Sequence, residues 1–345
     1  MLADDRPGNV NQALAVAEAL GWPFLVKPIR YGPFARLPNR LLGASLIGLT
    51  AAARAALAPP WPELVIAAGR APPWPELVIA AGRRAAPVAR WLKRRAPDVF
   101  LVQLMWPGSA QGLDLLAVPA HDDLRTARPE VIRTVGVPHR VTRDRLAAAA
   151  RELAPRLGDL PRPRIACLVG GSNRAVRFRP SDALRLAHEA SALARARGGS
   201  LLVSTSRRTG EACAAALARA IDVPRLLHRW SPGADPTANP YLGLLGAADA
   251  VIVTADSASM CSEACASGRP VFLFRPAGGA SARLARLHGA LEATSHLRPL
   301  GAPWPEGHPP PLDPAGVVAD AIRARLARPI GAGDRQAVAS AAETP

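Results

Sequence analysis

Residues 251–274 read VIVTADSASMCSEACASGRPVFLF, and this stretch decides the fold class. Four β-branched residues, Val251–Thr254, have the composition of a strand buried on both faces. Ser257 is a good N-cap, and the residues after it predict a helix over Ser257–Ser267. Gly268, Arg269 and Pro270 punctuate it, and Pro270–Phe274 is again an unbroken apolar run. Strand, helix and strand without polar alternation form the parallel βαβ unit, whose sheet carries helices on its faces.

The same rhythm extends in both directions. In the second half, strands are predicted at Ile165–Val169, Leu201–Ser204, Arg225–His228 and Ala250–Val253, with helices at Ser181–Arg197 and Gly210–Ala220. In the first half, strands near Phe24–Val26, Leu77–Ala80, Val99–Gln103 and Leu115–Val118 alternate with helices near Asn11–Leu20, Pro38–Leu57 and Ala85–Arg95. The segment RLGDLPRPR (156–164) interrupts the pattern, because proline removes backbone donors from helix and sheet. The expected division is a first domain over 1–158 and a second over 159–300. A proline-rich connection with a final helix at Pro314–Ala327 fills 301–328, and 329–345 read as a disordered tail. Residues 58–70, APPWPELVIAAGR, recur letter for letter at 71–83. One sheet position holds only one LVIAAG strand. The second copy runs straight into the helix at Ala85, so it is the copy expected in the sheet.

The chain has 345 residues, enough for two cores, and its 49% hydrophobic and 20% charged residues exclude a wholly disordered protein. The net charge of +16 comes from 43 cations, of which only Lys27 and Lys93 are lysines. An arginine skew of this kind reads as coding bias more than as selection to grip phosphate backbones. With no helix-turn-helix and no aromatic platform, no nucleic-acid partner is expected. Cys167, Cys213, Cys261 and Cys265 have no CxxC spacing and no histidine at zinc-finger distance, so a reduced protein without structural metal is expected. Asp4, Asp5 and Arg6 break any leading apolar run, which predicts no signal peptide. The uncharged stretch 41–53 falls short of the roughly 20 residues that span a bilayer. The expected location is cytoplasmic. The basic and apolar segment Arg30–Arg54 suits peripheral contact with an anionic membrane at its inner face, or else a core helix with basic ends.

Candidate site residues fall at predicted strand ends. Asp256, Ser257, Ser259 and Glu263 open the helix after the fourth strand of the second half. Helix-start N–H groups and the dipole attract an anion, and Ser259 and Glu263 share one helix face. Such a hydroxyl and carboxylate suit a pyrophosphate followed by a ribose diol; an ordinary capped helix with an exposed acid has the same pattern. LVGGSNR places Gly170, Gly171, Ser172 and Arg174 in a loop that lets a ligand approach the backbone. It lacks the GxGxxG and P-loop spacings, which disfavours an NAD enzyme or NTPase. Arg207 and Arg208, in STSRRTG, can pair with phosphate. In the first half, DDRPGNVNQ offers Gly8 and Asn9 at a helix start after Asp4 and Asp5, and a carboxylate facing a crevice is a candidate general base. His121 stands at another strand end. No HExxH, GxSxG or DxD is present.

DDRPGNVNQ, LVGGSNR and VTADSASMCSEACASGRPV together resemble the bacterial branch of the "elongated mitochondria" mitochondrial-fission family, sometimes labelled nucleoside-diphosphate-sugar epimerase-like. The resemblance covers about residues 3 to 328. That family in turn is similar to glycosyltransferases of GT-B type, α/β proteins of two Rossmann-like domains facing across a cleft, with a C-terminal helix that can return to the first domain. The resemblance implies that the second domain holds a nucleotide-diphosphate sugar through Gly170, Gly171, Ser172, Ser257, Ser259 and Glu263. It implies a metal-independent transfer, no bound cofactor, and Asp5, Asp4 or His121 as base. Plant members act as adaptors at the mitochondrial surface, which implies a protein partner as the alternative. The epimerase label fits poorly, because neither Tyr31 nor Tyr241 has a lysine four residues on.

Overall fold

The computed structural model describes residues 1–57, 76–122, 124, 128–174, 176–233, 235, 239–307 and 309–326. The first elements are β1 (Leu2–Ala3), α1 (Pro7–Leu20), β2 (Lys27–Pro28), α2 (Asn39–Leu42) and α3 (Ala51–Ala55). They are followed by β3 (Leu77–Ala81), α4 (Ala86–Arg95), β4 (Phe100–Leu104), β5 (Leu115–Pro119) and β6 (Val131–Thr134). Next come α5 (Arg143–Leu157), β7 (Arg164–Val169), α6 (Pro180–Arg195), β8 (Ser200–Thr205), α7 (Glu211–Ala220) and β9 (Arg225–His228). The chain continues with α8 (Tyr241–Ala247), β10 (Ala250–Thr254), α9 (Ala258–Ala266), β11 (Val271–Phe274), α10 (Ala282–Ala293), β12 (Arg298–Pro299) and α11 (Pro314–Leu326). Two compact units result: the first takes Met1–Val118 and the chain from Ala315, the second most of Pro119–Pro314.

In the second unit six strands lie in the order β12-β11-β10-β7-β8-β9, every neighbouring pair parallel. The chain runs outward from β7 to β9, then crosses back and runs outward again from β10 to β12. The reversal makes β7 and β10 the topological switch point, outside whose carboxyl ends such sheets bind ligands. Ile165, Leu201, Ile252 and Phe272 are wholly buried, as strands covered on both faces require. In the first unit β3-β4-β5-β6 form a separate four-stranded sheet, parallel across β3, β4 and β5, and β1 pairs with β2 in parallel.

Helix α11 brings the end of the chain back to the first unit. Its stripe Ala315, Val318, Ala319 and Ile322 packs with Ala13, Val16 and Leu20 of α1, and Arg323 donates to the Ala19 and Leu20 carbonyls. Helix α5, which the sequence reading does not include, belongs to the second unit, although its residues fall inside the first domain expected over 1–158. It packs on α8, where a Cβ on Gly246 would stand 2.3 Å from the Leu146 carbonyl oxygen and one on Gly243 2.8 Å from that of Ala149.

Several local expectations are corrected. Phe24–Val26 is exposed chain rather than strand; pairing starts at Lys27, whose N–H bonds to Met1. The helix expected over Pro38–Leu57 breaks into the short α2 and α3. Gly43 ends α2 at φ +56°, where an L side chain would be strained. Leu77–Ala81, from the second thirteen-residue copy, forms β3, whereas 58–70 lie outside the described residues, as does the expected tail at 329–345. Elements β6, α5, α8 and α10 are absent from the sequence expectations. All four cysteines are free and buried. Among the described residues no helix is long and apolar enough to cross a membrane, and no group of three His, Cys, Asp or Glu could hold a metal.

Candidate functional site

Parallel register carries three loops to one level. Val253 lies opposite Leu168, and Val169 opposite Thr205, so the chain leaves β7, β8 and β10 side by side. Thr254, at the end of β10, accepts from the Gly170 N–H at 2.8 Å and donates to Asp256 Oδ1 at 2.6 Å. Asp256 Oδ2 accepts from Arg208 Nη2 at 2.5 Å, with the carboxylate side chain 1% exposed and the arginine 38%. Asn173 Nδ2 donates to the Asp256 carbonyl at 2.8 Å. Ser206 and Thr209 hydroxyls both donate to the Gly170 carbonyl, at 2.5 and 2.6 Å. Polar groups at three strand ends thus satisfy one another and hold the glycine loop against the turn into α9.

Glycine is a steric requirement here. A Cβ on Gly170 would lie 2.2 Å from both Asp256 carboxylate oxygens. One on Gly171, at φ +140°, would lie 2.1 Å from the Arg208 carbonyl oxygen. Ser172 remains exposed, its hydroxyl donating to the Phe178 carbonyl at 3.1 Å, and Arg174 and Arg207 are exposed.

Ser257 caps α9, accepting from the Met260 N–H at 3.3 Å. The first-turn N–H groups before Met260 have no acceptor within the helix, and the dipole adds positive potential where β10 delivers the chain. Glu263 lies one turn deeper, where its Oε2 accepts from the Tyr241 hydroxyl of α8 at 2.7 Å. Burial pushes the Glu263 carboxyl above its usual range, and the Tyr241 hydrogen bond opposes that shift. Burial and the facing Glu263 push the tyrosine up as well.

This pair predicts a pH dependence. The folded Glu263 carboxyl titrates above its ordinary 4.5, so the folded state holds the proton more tightly than the unfolded chain. Stability from this group is therefore greatest at acid pH and falls as pH rises from 4.5 through the raised value. Tyr241→Phe removes the opposing hydrogen bond and raises the folded pKa further. Its loss of stability relative to the parent is expected to be small near pH 4.5 and to grow to about 1.5 kcal/mol near pH 8. Urea unfolding at both values checks this; a loss that does not change with pH would show that the hydroxyl does not act on the carboxylate.

A second polar cluster occupies the first unit. Asp4, at the end of β1, accepts from Asn9 Nδ2 at 2.6 Å and Arg84 Nη2 at 3.0 Å, and Arg84 also pairs with Asp5. The Arg84 guanidinium lies 4.4 Å from the Tyr31 ring centroid. Gly82, after β3, leaves room for Asn9, whose Nδ2 would be 2.3 Å from a Cβ there. Burial pushes the Asp4 carboxyl up, and the hydrogen bond between the two carboxyls holds Asp5 down. Gly8 is exposed in the first turn of α1.

His121 belongs to the second unit, beside α10, not to the unit of Asp4 and Asp5. Arg286 Nε donates to its carbonyl at 3.0 Å and Arg283 pairs with Asp122 at 2.5 Å. Its ring is 1% exposed with no hydrogen bond to either nitrogen, and burial with Arg283 nearby lowers its pKa to about 4. It is a neutral imidazole withdrawn from solvent.

Gly170, Gly171, Ser172, Asp256 and Ser257 therefore converge, and Arg208 rather than Arg207 makes the ion pair. Asp4, Asp5, Gly8 and Asn9 form a group of their own. Thr254, Asn173, Ser206, Thr209, Arg84 and Tyr241 were not assigned from sequence. A hydroxyl at the last position of a buried strand, as in VIVT and SLLVST, is the signal that could have found Thr254.

A family model described as mitochondrial fission ELM1 matches residues 7–326. The uncharacterized protein RP120 of Rickettsia prowazekii (strain Madrid E) is 27% identical over 308 residues, which are 80% of this chain and 82% of that protein. The mitochondrial fission protein ELM1 of Arabidopsis thaliana is 26% identical over 316 residues, 83% of this chain and 69% of that one. Among solved structures, a UDP-GlcNAc 2-epimerase from Methanocaldococcus jannaschii aligns with a TM-score of 0.50 at 11% identity, over 94% of this chain and 98% of that chain. At that identity the likeness shows the fold alone, the GT-B-like pairing of two Rossmann-like domains.

Proposed function

The chain belongs to the mitochondrial fission ELM1 family, and from that premise we propose that it is a glycosyltransferase-type protein whose second unit binds a nucleotide-diphosphate sugar. The observation that carries this reading is the switch point between β7 and β10. There a glycine loop that admits no Cβ adjoins a Ser-capped helix start. The diphosphate lies over Gly171, Ser172 and the N–H groups before Ser259, with Arg207 as a cationic side chain beside it. Glu263 takes the ribose diol through the oxygen that Tyr241 leaves free. Transfer is an in-line displacement at the anomeric carbon. The helix start and arginine stabilise the charge on the departing diphosphate.

Thermal unfolding with UDP-, GDP-, ADP-, CMP- and dTDP-sugars and the free diphosphates tests this. A ligand at roughly 100 times its dissociation constant stabilises the fold by about 2.7 kcal/mol. One nucleotide class is expected to raise the midpoint, and Glu263→Ala and Arg207→Ala to abolish or weaken that rise. A folded protein that responds to none of them would overturn the reading in favour of a non-catalytic adaptor on the same fold.

A further inference from the structure

Within the first unit, residues 32–49 form one closed loop. The Gly32 N–H donates to the Gly48 carbonyl at 2.9 Å, and Tyr31 bridges Leu49 in antiparallel fashion. The loop is held from beneath. Asn39 Nδ2 donates to the Arg83 and Pro107 carbonyls, both at 2.8 Å, and Arg83 returns a bond to the Leu37 carbonyl at 3.0 Å. Inside, Ala35 and Leu42 are buried. Outside, Phe34 is 56% exposed, Leu41 66% and Ile47 51%. A loop built and fastened in this way, yet turning several large apolar side chains to water, is suited to contact with an apolar partner.

Charge selects the occupant. Between Glu18 and Glu63 the sequence has five cations, Lys27, Arg30, Arg36, Arg40 and Arg54, and no acid. Arg36 and Arg40 alternate with Phe34, Leu37 and Leu41 and are exposed beside them. Apolar side chains that enter an acyl boundary, interleaved with arginines at headgroup level, complement an anionic lipid surface. A protein groove would be expected to meet some charges of both signs. From this arrangement we infer that the loop of residues 32–49 docks the protein peripherally on a membrane rich in anionic lipid. The inference stands on the first unit alone and does not depend on the nucleotide site.

The test is flotation of the full chain with vesicles of phosphatidylcholine alone and of phosphatidylcholine with about one third phosphatidylglycerol. The parent is expected to float with the anionic vesicles only, and less as salt rises, because screening weakens the arginine contribution. Arg36→Glu with Arg40→Glu should lower the bound fraction at least roughly tenfold. Phe34→Ser with Leu41→Ser should release the protein even at low salt. These side chains are exposed, and circular dichroism with an unchanged melting midpoint confirms that the variants are folded. Failure of the parent to float with anionic vesicles overturns the inference. So does flotation that neither pair of substitutions reduces, or flotation that ignores lipid charge.

Discussion

Gly171→Ala is expected to lower the stability of the second unit by about 4 kcal/mol and its melting midpoint by roughly 10 °C. Two costs add. The residue sits at φ +140°, a conformation that an L side chain adopts only with strain, worth about 1–3 kcal/mol. Its Cβ would also lie 2.1 Å from the Arg208 carbonyl oxygen and 2.4 Å from the Thr209 amide nitrogen. Both are backbone atoms, so no side chain can swing aside. The whole turn after β8 must move, and overpacking of this kind costs about 1–3 kcal/mol more. Gly289→Ala is the control. Gly289 is exposed in α10, has nothing within 4 Å of its Cβ position, and should stabilise by about 0.5–1 kcal/mol. Calorimetry of both variants decides the matter; a Gly171→Ala midpoint within a degree or so of the parent would mean that the loop is not held as described.

Asp256→Ala is expected to cost about 3 kcal/mol. The carboxylate is 1% exposed and accepts from both Thr254 and Arg208. Its removal leaves a buried hydroxyl without its acceptor and a guanidinium without its counter-charge. The arginine is 38% exposed, so water replaces part of what it loses. For that reason the coupling between Asp256→Ala and Arg208→Ala in a double-mutant cycle should be only about 1 kcal/mol, with the larger share of the loss lying on the Thr254 side. Urea unfolding of the two single variants and the double variant checks this. A loss below about 0.5 kcal/mol for Asp256→Ala would show that the three strand-end loops are not held through this carboxylate.

The second sheet was legible because its strands are short apolar runs with turn residues at both ends. Ile165–Val169, Leu201–Ser204 and Ala250–Val253 were each placed within a residue of the observed bounds. The convergence of Gly170 with Ser257 was legible for the same reason, since parallel strands deliver their loops to one edge. Pro38–Leu57 has the apolar content of a core helix, while Gly43 and the Asn39 anchor commit the chain to a loop. Helix α8 is hard to read from local sequence for a different reason. In α8, YLGLLGA carries two glycines that lower helix propensity, and packing against α5, β7 and β8 supplies the stabilisation.

The sequence by itself determined the α/β class, the parallel second sheet and the glycine and serine loops at its edge. Local composition and hydrophobic period are enough for those. Only the tertiary structure decided that α5 packs with the second unit, while the return of α11 to the first is what the family resemblance implied. The tertiary structure alone placed His121 against α10 as a buried neutral ring, and directed Glu263 to Tyr241. Each of those outcomes rests on contacts between residues apart in the chain, such as Arg283 with Asp122 or Tyr241 with Glu263. Composition carries no trace of which distant partner a side chain will meet; close packing and the pairing of buried polar groups select it once the strands have assembled.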